Sequence, residues 1–143
     1  MACWAIPTWQ SCVCGTGPRL WRHRVLATRD WRARRRDWCA NLGIAVEVYH
    51  GWWDTTLHAT LANAHGKVLG YHLCDWLETT SDMLPDRGMM GDGVADLKSI
   101  RKAVEDSGYT GPFEVEVFSA NNWWQRDPNE VLDVAGECFT SVR

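Results

Sequence analysis

The stretch Ile44-Ala45-Val46-Glu47-Val48-Tyr49-His50 decides the fold. Its Ile, Val and Tyr favour extended backbone, and a short, nearly continuous apolar run suits a strand buried in a parallel sheet. Glu47 interrupts the run, and a carboxylate is almost never fully buried without a partner. We read Ile44 to Tyr49 as a strand, with Tyr49-His50 at its carboxyl end.

Downstream, the same kind of unit recurs. Asp54 is placed to cap a helix whose apolar positions Leu57, Leu61 and Ala64 share a face, and Gly66 is placed to stop it. Val68 to Leu73 reads as a second strand, with His72 near its end. Cys74 to Gly93 reads as a long loop rich in Gly, Asp and Pro. Asp96 then caps a helix with Leu97, Ile100 and Val104 on one face, ended by Gly108. Phe113 to Phe118 is the third strand and carries Glu114 and Glu116. Asp127-Pro128-Asn129-Glu130 opens a last helix, with a capping Asp, Pro at the first position and Glu three residues after the cap. Val131, Leu132, Ala135, Cys138 and Phe139 are expected on its buried face. The order βα-βα-βα calls for a parallel sheet with right-handed crossovers.

Upstream, the composition changes. Residues 1–41 hold eight arginines against Asp30 and Asp37, a net +6, which leaves −9 for the rest of a chain whose total is −3. Five of the ten tryptophans and four of the six cysteines also fall here. Trp4, Trp9, Trp21, Trp31 and Trp38 keep neither a helical nor a strand period. Arg and Ala favour a helix from about Ala27 to Ala40. The segment is otherwise atypical for a packed domain, and we divide the chain into residues 1–41 and 42–143.

Length and composition narrow the classes. A chain of 143 residues predicts one domain, and 45% apolar with 23% charged residues is ordinary for a globular protein. No apolar run reaches the length of a membrane span. Met1 to Gln10 has neither basic charge nor a continuous apolar stretch, so no secretory signal is expected. Six cysteines are too few for a disulfide scaffold of this size, and a reducing, cytoplasmic setting is expected.

The ionisable residues fall where a parallel sheet places its ligands, at the carboxyl ends of the strands. Glu114 and Glu116 are two apart and face one side of a strand. Two carboxylates on one face repel unless a cation lies between them. A carboxylate, a histidine and another carboxylate on successive strands suit one divalent ion of the Mg, Mn, Co or Zn type. Each histidine has a plainer reading as a hydrogen-bonded residue at a strand end.

Four longer motifs carry a resemblance. They are Val46-Glu47-Val48-Tyr49-His50-Gly51-Trp52-Trp53-Asp54, Gly70-Tyr71-His72-Leu73-Cys74-Asp75-Trp76, Asp86-Arg87-Gly88-Met89-Met90-Gly91-Asp92-Gly93 and Gly108-Tyr109-Thr110-Gly111-Pro112-Phe113-Glu114-Val115-Glu116-Val117-Phe118-Ser119. From Leu42 onward the chain resembles the sugar phosphate isomerase/epimerase proteins of the xylose isomerase-like TIM-barrel family. The resemblance implies a partial (β/α)8 barrel, made of about three C-terminal βα units. It also implies metal-assisted proton transfer beside a carbohydrate carbonyl, with a small carbohydrate as partner. By position, Glu47, His72 and Glu116 match metal ligands, and Glu116 is also the catalytic glutamate. His50 and Arg87 match substrate contacts, and Trp53 is placed to stack on a sugar ring. Asp75 and Trp76 follow the metal histidine and are expected to orient it, whereas Asp92-Gly93 is expected to shape a turn. Glu114 takes no role beyond that of an exposed strand residue.

The pattern departs from the family in two places. Glu47 stands where the family usually has the shorter Asp. The family's first metal glutamate has no counterpart, because residues 1–41 contain no glutamate. The expected metal site is therefore incomplete and its catalysis impaired. A full barrel needs roughly 250 residues, so three units leave open sheet edges through which chains can associate. Residues 1–41 are expected to stand in place of the first half of the barrel. The alternatives are a non-catalytic remnant or assembly subunit, nucleic-acid binding by the Arg/Trp segment, and a zinc site on Cys3, Cys12, Cys14 and Cys39. The last lacks paired Cys-x2-Cys spacing. The chain also has too few His, Asp and Glu for the multi-metal site of an apurinic-site endonuclease, so nucleic acid is not the expected partner.

Overall fold

The computed structural model describes residues 10–12, 24–26 and 43–142. The helix expected between Ala27 and Ala40 lies outside these residues, as do Cys3, Cys14 and Cys39. The elements in chain order are β1 (Gln10–Cys12), β2 (Arg24–Leu26), β3 (Ile44–Glu47), α1 (Val48–Gly51), α2 (Leu57–Asn63), β4 (Val68–Leu73), β5 (Asp75–Trp76), β6 (Arg87–Gly88), α3 (Leu97–Asp106), β7 (Phe113–Val115) and α4 (Pro128–Ser141).

The main sheet has the order β2-β1-β3-β4-β7. Strands β3, β4 and β7 are parallel neighbours, as the βα-βα-βα reading requires. The register places Glu47 opposite His72, and His72 opposite Glu114, so three ionisable residues share one row across the sheet. On the other side, β1 pairs antiparallel with both β2 and β3. The Arg/Trp-rich segment therefore contributes two strands that its irregular sequence did not announce. Among the described residues the sheet stays open, with β2 and β7 at its edges, which makes it a partial barrel.

Packing explains the elements. Ile44, Ala45 and Val46 are all buried, as a continuous apolar strand demands. Val46, Tyr71 and Leu73 from the sheet meet Leu57 and Leu61 of α2, and Ile100 and Val104 of α3, in one core. The Asp96 carboxylate accepts from Ser99 N at 3.1 Å to cap α3. Gly108 follows that helix at φ +85°, a left-handed conformation that costs glycine little.

Four expectations are corrected. The first strand stops at Glu47, and Val48 to Gly51 form a single helical turn. Burying Val48 and Tyr49 there outweighs their β preference. The third strand is only Phe113–Val115; Glu116 lies just past it, although its N–H still donates to Leu73 O at 2.8 Å. Leu132 is not buried under α4 but 70% exposed, while Val131, Ala135, Cys138 and Phe139 pack half-buried against the core. The capping Asp127 is as expected, accepting from Asn129 N and Glu130 N. Asp54 sits one turn ahead of its helix: it accepts from Thr56 N and Oγ1, and Thr56 precedes α2. Among the described residues no helix is long and apolar enough to cross a membrane.

Candidate metal and sugar site

Strand register assembles the site. Glu47 ends β3, His72 lies one residue from the end of β4, and Glu116 follows β7. One ligating atom from each of these residues lies within 4.8 Å of the other two. Glu116 Oε2 is 3.6 Å from His72 Nδ1, and Glu114 Oε2 is 3.4 Å from Nε2 on the opposite edge of the same imidazole. His50, carried by the α1 turn, brings Nε2 to 3.6 Å from Glu47 Oε2.

The long loop after β4 delivers a cation into this acidic group. Within it, β5 and β6 pair antiparallel with Trp76 opposite Arg87, and Arg87 N donates to Phe118 O at 2.8 Å. The Arg87 side chain is only 2% exposed. Its Nη1 donates to Glu47 Oε1, and to Glu116 Oε2 at 3.0 Å. The guanidinium lies 4.5 Å from the ring centroid of Tyr49 and 4.6 Å from that of Phe118, within cation–π range. Burial works against its charge, but Glu47 foremost, with Glu116, more than offsets that and keeps it protonated.

The same environment shifts the neighbours. Glu116 is raised above the ordinary carboxylate range, by burial first and then by the charge of Glu47, with Arg87 and His72 opposing. Burial, then the Arg87 charge, lowers His50. Cys74, buried beneath, is pushed up to about 12 by desolvation and remains a thiol.

Asp75 has a different role from the one its sequence neighbours implied. It does not orient His72. Its buried carboxylate accepts from Trp76 N at 2.8 Å and from Gly91, Gly93 and Ala95 N at 3.0 Å each, gathering the 91–95 loop. Asp92 does shape the turn: its Oδ2 accepts from Met89 N and Trp123 Nε1, both at 2.9 Å. Gly93 fits there because any Cβ would lie 2.0 Å from Trp76 O. This folded loop is what carries Arg87 inward.

Of the residues singled out in the sequence, Glu47, His50, His72, Arg87 and Glu116 converge. Trp53 stands 41% exposed, and no hydrogen bond, ion pair or ring contact joins it to them. Glu114, set aside as an exposed strand residue, is exposed but reaches His72. The β4–β7 register that makes this contact has no local sequence signal. Among the described residues no other group of three His, Cys, Asp or Glu side chains is spaced to hold an ion.

A partial parallel barrel with a Glu–His–Glu cluster at its strand ends defines a class, and family comparison agrees. The family model described as xylose isomerase-like TIM barrel matches residues 30–136, so the chain belongs to that family, which includes sugar isomerases and epimerases. Among solved structures, the crystal structure of protein SMc04130 from Sinorhizobium meliloti 1021 is similar, with a TM-score of 0.71 and 48% sequence identity. The match covers 73% of this chain and 38% of that one, so the chain spans well under half of its structural relative. No curated protein matches the chain.

Proposed function

We propose that this chain is a sugar or sugar-phosphate isomerase or epimerase that uses one divalent metal ion to move a proton beside a carbohydrate carbonyl. The observation that carries the reading is the convergence of Glu47, His72 and Glu116 from successive strand ends. Two carboxylates and an imidazole fit a Mn, Mg, Co or Zn ion chemically. The pair of acids also needs a counter-charge, at present supplied by Arg87. A bound ion supplies Lewis-acid polarisation of the sugar's carbonyl and neighbouring hydroxyl oxygens.

The chain's own residues do the rest. Glu116 takes the proton from the carbon beside the carbonyl, and its raised pKa suits a group that must both accept and return one. Arg87, permanently charged and fixed between two rings, stabilises negative charge developing on a substrate oxygen. His50, largely neutral, exchanges hydrogen bonds with a sugar hydroxyl. Trp53 offers an exposed ring to the apolar face of the sugar. A cytoplasmic setting accompanies this reading, with Cys74 and Cys138 as free thiols.

Incubation in D2O tests the proposal. The chain with Mn²⁺ is given a panel of ketoses and aldoses, free and phosphorylated, and proton NMR follows exchange at the carbon beside the carbonyl. Exchange on at least one sugar, lost in Glu116→Gln, is the expected result. A folded, Mn²⁺-loaded chain that exchanges none of them is the non-catalytic remnant.

A further inference from the structure

We infer that Glu114 is a positioning residue: it holds His72 in the Nε2–H tautomer and so leaves the Nδ1 lone pair on the side of Glu116. The inference rests on the metal-site reading for its consequence, but its geometry stands independently. The parallel register puts Glu114 directly opposite His72, which fixes their side chains on one face. Glu114 Oε2 is then 3.4 Å from Nε2, while Glu116 Oε2 is 3.6 Å from Nδ1.

A neutral imidazole has one N–H to give, and an ionised carboxylate can only accept it. Two carboxylates thus compete for one proton, and their other contacts differ. Glu116 Oε2 already accepts from Arg87 Nη1 at 3.0 Å. Glu114 has no other hydrogen-bond or ion-pair partner among the described residues, and at 62% exposure its side chain is free to close the remaining few tenths of an ångström. Giving the proton to Glu114 satisfies the carboxylate that lacks a donor. It also leaves the nitrogen nearer Glu116 with its lone pair available. A carboxylate behind a ligating histidine in this way fixes its ring and raises its basicity as a ligand.

Long-range proton–nitrogen NMR of the full, metal-free chain tests the assignment at mildly alkaline pH, with the His72 signals identified by their absence in His72→Asn. The Nε2–H tautomer is expected in the wild type, retained in Glu114→Gln, whose amide oxygen still accepts, and lost towards a mixture in Glu114→Leu. Calorimetric Mn²⁺ titration of the same proteins should show affinity falling about 10- to 100-fold in Glu114→Leu and largely rescued in Glu114→Gln. Because the side chain is exposed, both variants should melt with the wild type, so a folding defect is separable. An Nδ1–H tautomer in the wild type, or a Glu114→Leu chain with unaltered tautomer and affinity, overturns the inference. If the tautomer follows Glu114 but the wild type takes up no Mn²⁺, the positioning stands and the metal reading falls.

Discussion

Arg87 and Glu47, forty residues apart, form an ion pair at the centre of the site, and the same Arg87 nitrogen also serves Glu116. The pair explains how two carboxylates tolerate one small space: the fold supplies its own cation. It also means that any divalent ion must share those carboxylates with a guanidinium that the β5–β6 hairpin fixes in place.

Removing that guanidinium has a definite consequence. Arg87→Met leaves Glu47 and Glu116 facing each other without compensation and should destabilise the chain by about 3–5 kcal/mol. Added Mn²⁺ should recover much of the loss, since it restores the missing positive charge. Urea unfolding with and without the ion measures both effects, and a variant as stable as the wild type would contradict the role given to Arg87.

Asp75 anchors the loop that delivers Arg87. Asp75→Ala strands three backbone N–H donors of the 91–95 loop and that of Trp76, and should cost about 3 kcal/mol or more. Increased hydrogen exchange at Gly91, Gly93 and Ala95 should accompany the loss. Unchanged protection at these amides would show that the carboxylate does not hold the loop.

Acid should loosen the last helix. Asp127 lies below its ordinary pKa because Asn129 N and Glu130 N donate to its ionised carboxylate. A depressed folded pKa gives stability that is present above the unfolded value and is lost as pH falls through the folded one. The wild type should therefore lose more stability than Asp127→Ala between neutral pH and pH values below the ordinary Asp range. Parallel curves for the two proteins would contradict the cap's electrostatic part.

How much of this was legible depended on range. The parallel strands β3 and β4 were readable because Ile44 to Val46 and Val68 to Leu73 form short, largely apolar runs, and α3 because Asp96, Leu97, Ile100, Val104 and Gly108 keep helical spacing with both ends marked. The turn at Val48 to Gly51 was not readable, since Val and Tyr favour a strand locally and only core packing places them in a helix. The role of Asp75 is not locally legible for a similar reason: the loop N–H groups that donate to it lie 16 to 20 residues away. For Leu132, helical spacing alone did not settle which flank of α4 meets the core. The row Glu47–His72–Glu114 depends on strand register, which no single strand encodes. Spacing placed ionisable residues at the strand ends, but only the folded loop reveals that Arg87 sits between two of them.

Calorimetric titration of Mn²⁺ into the metal-free chain, beside Glu116→Ala, reads directly whether Glu47, His72 and Glu116 hold an ion. Saturable one-to-one binding that disappears with the Glu116 carboxylate is the expected result. No binding by a chain shown to be folded, or binding that survives the substitution, would contradict it.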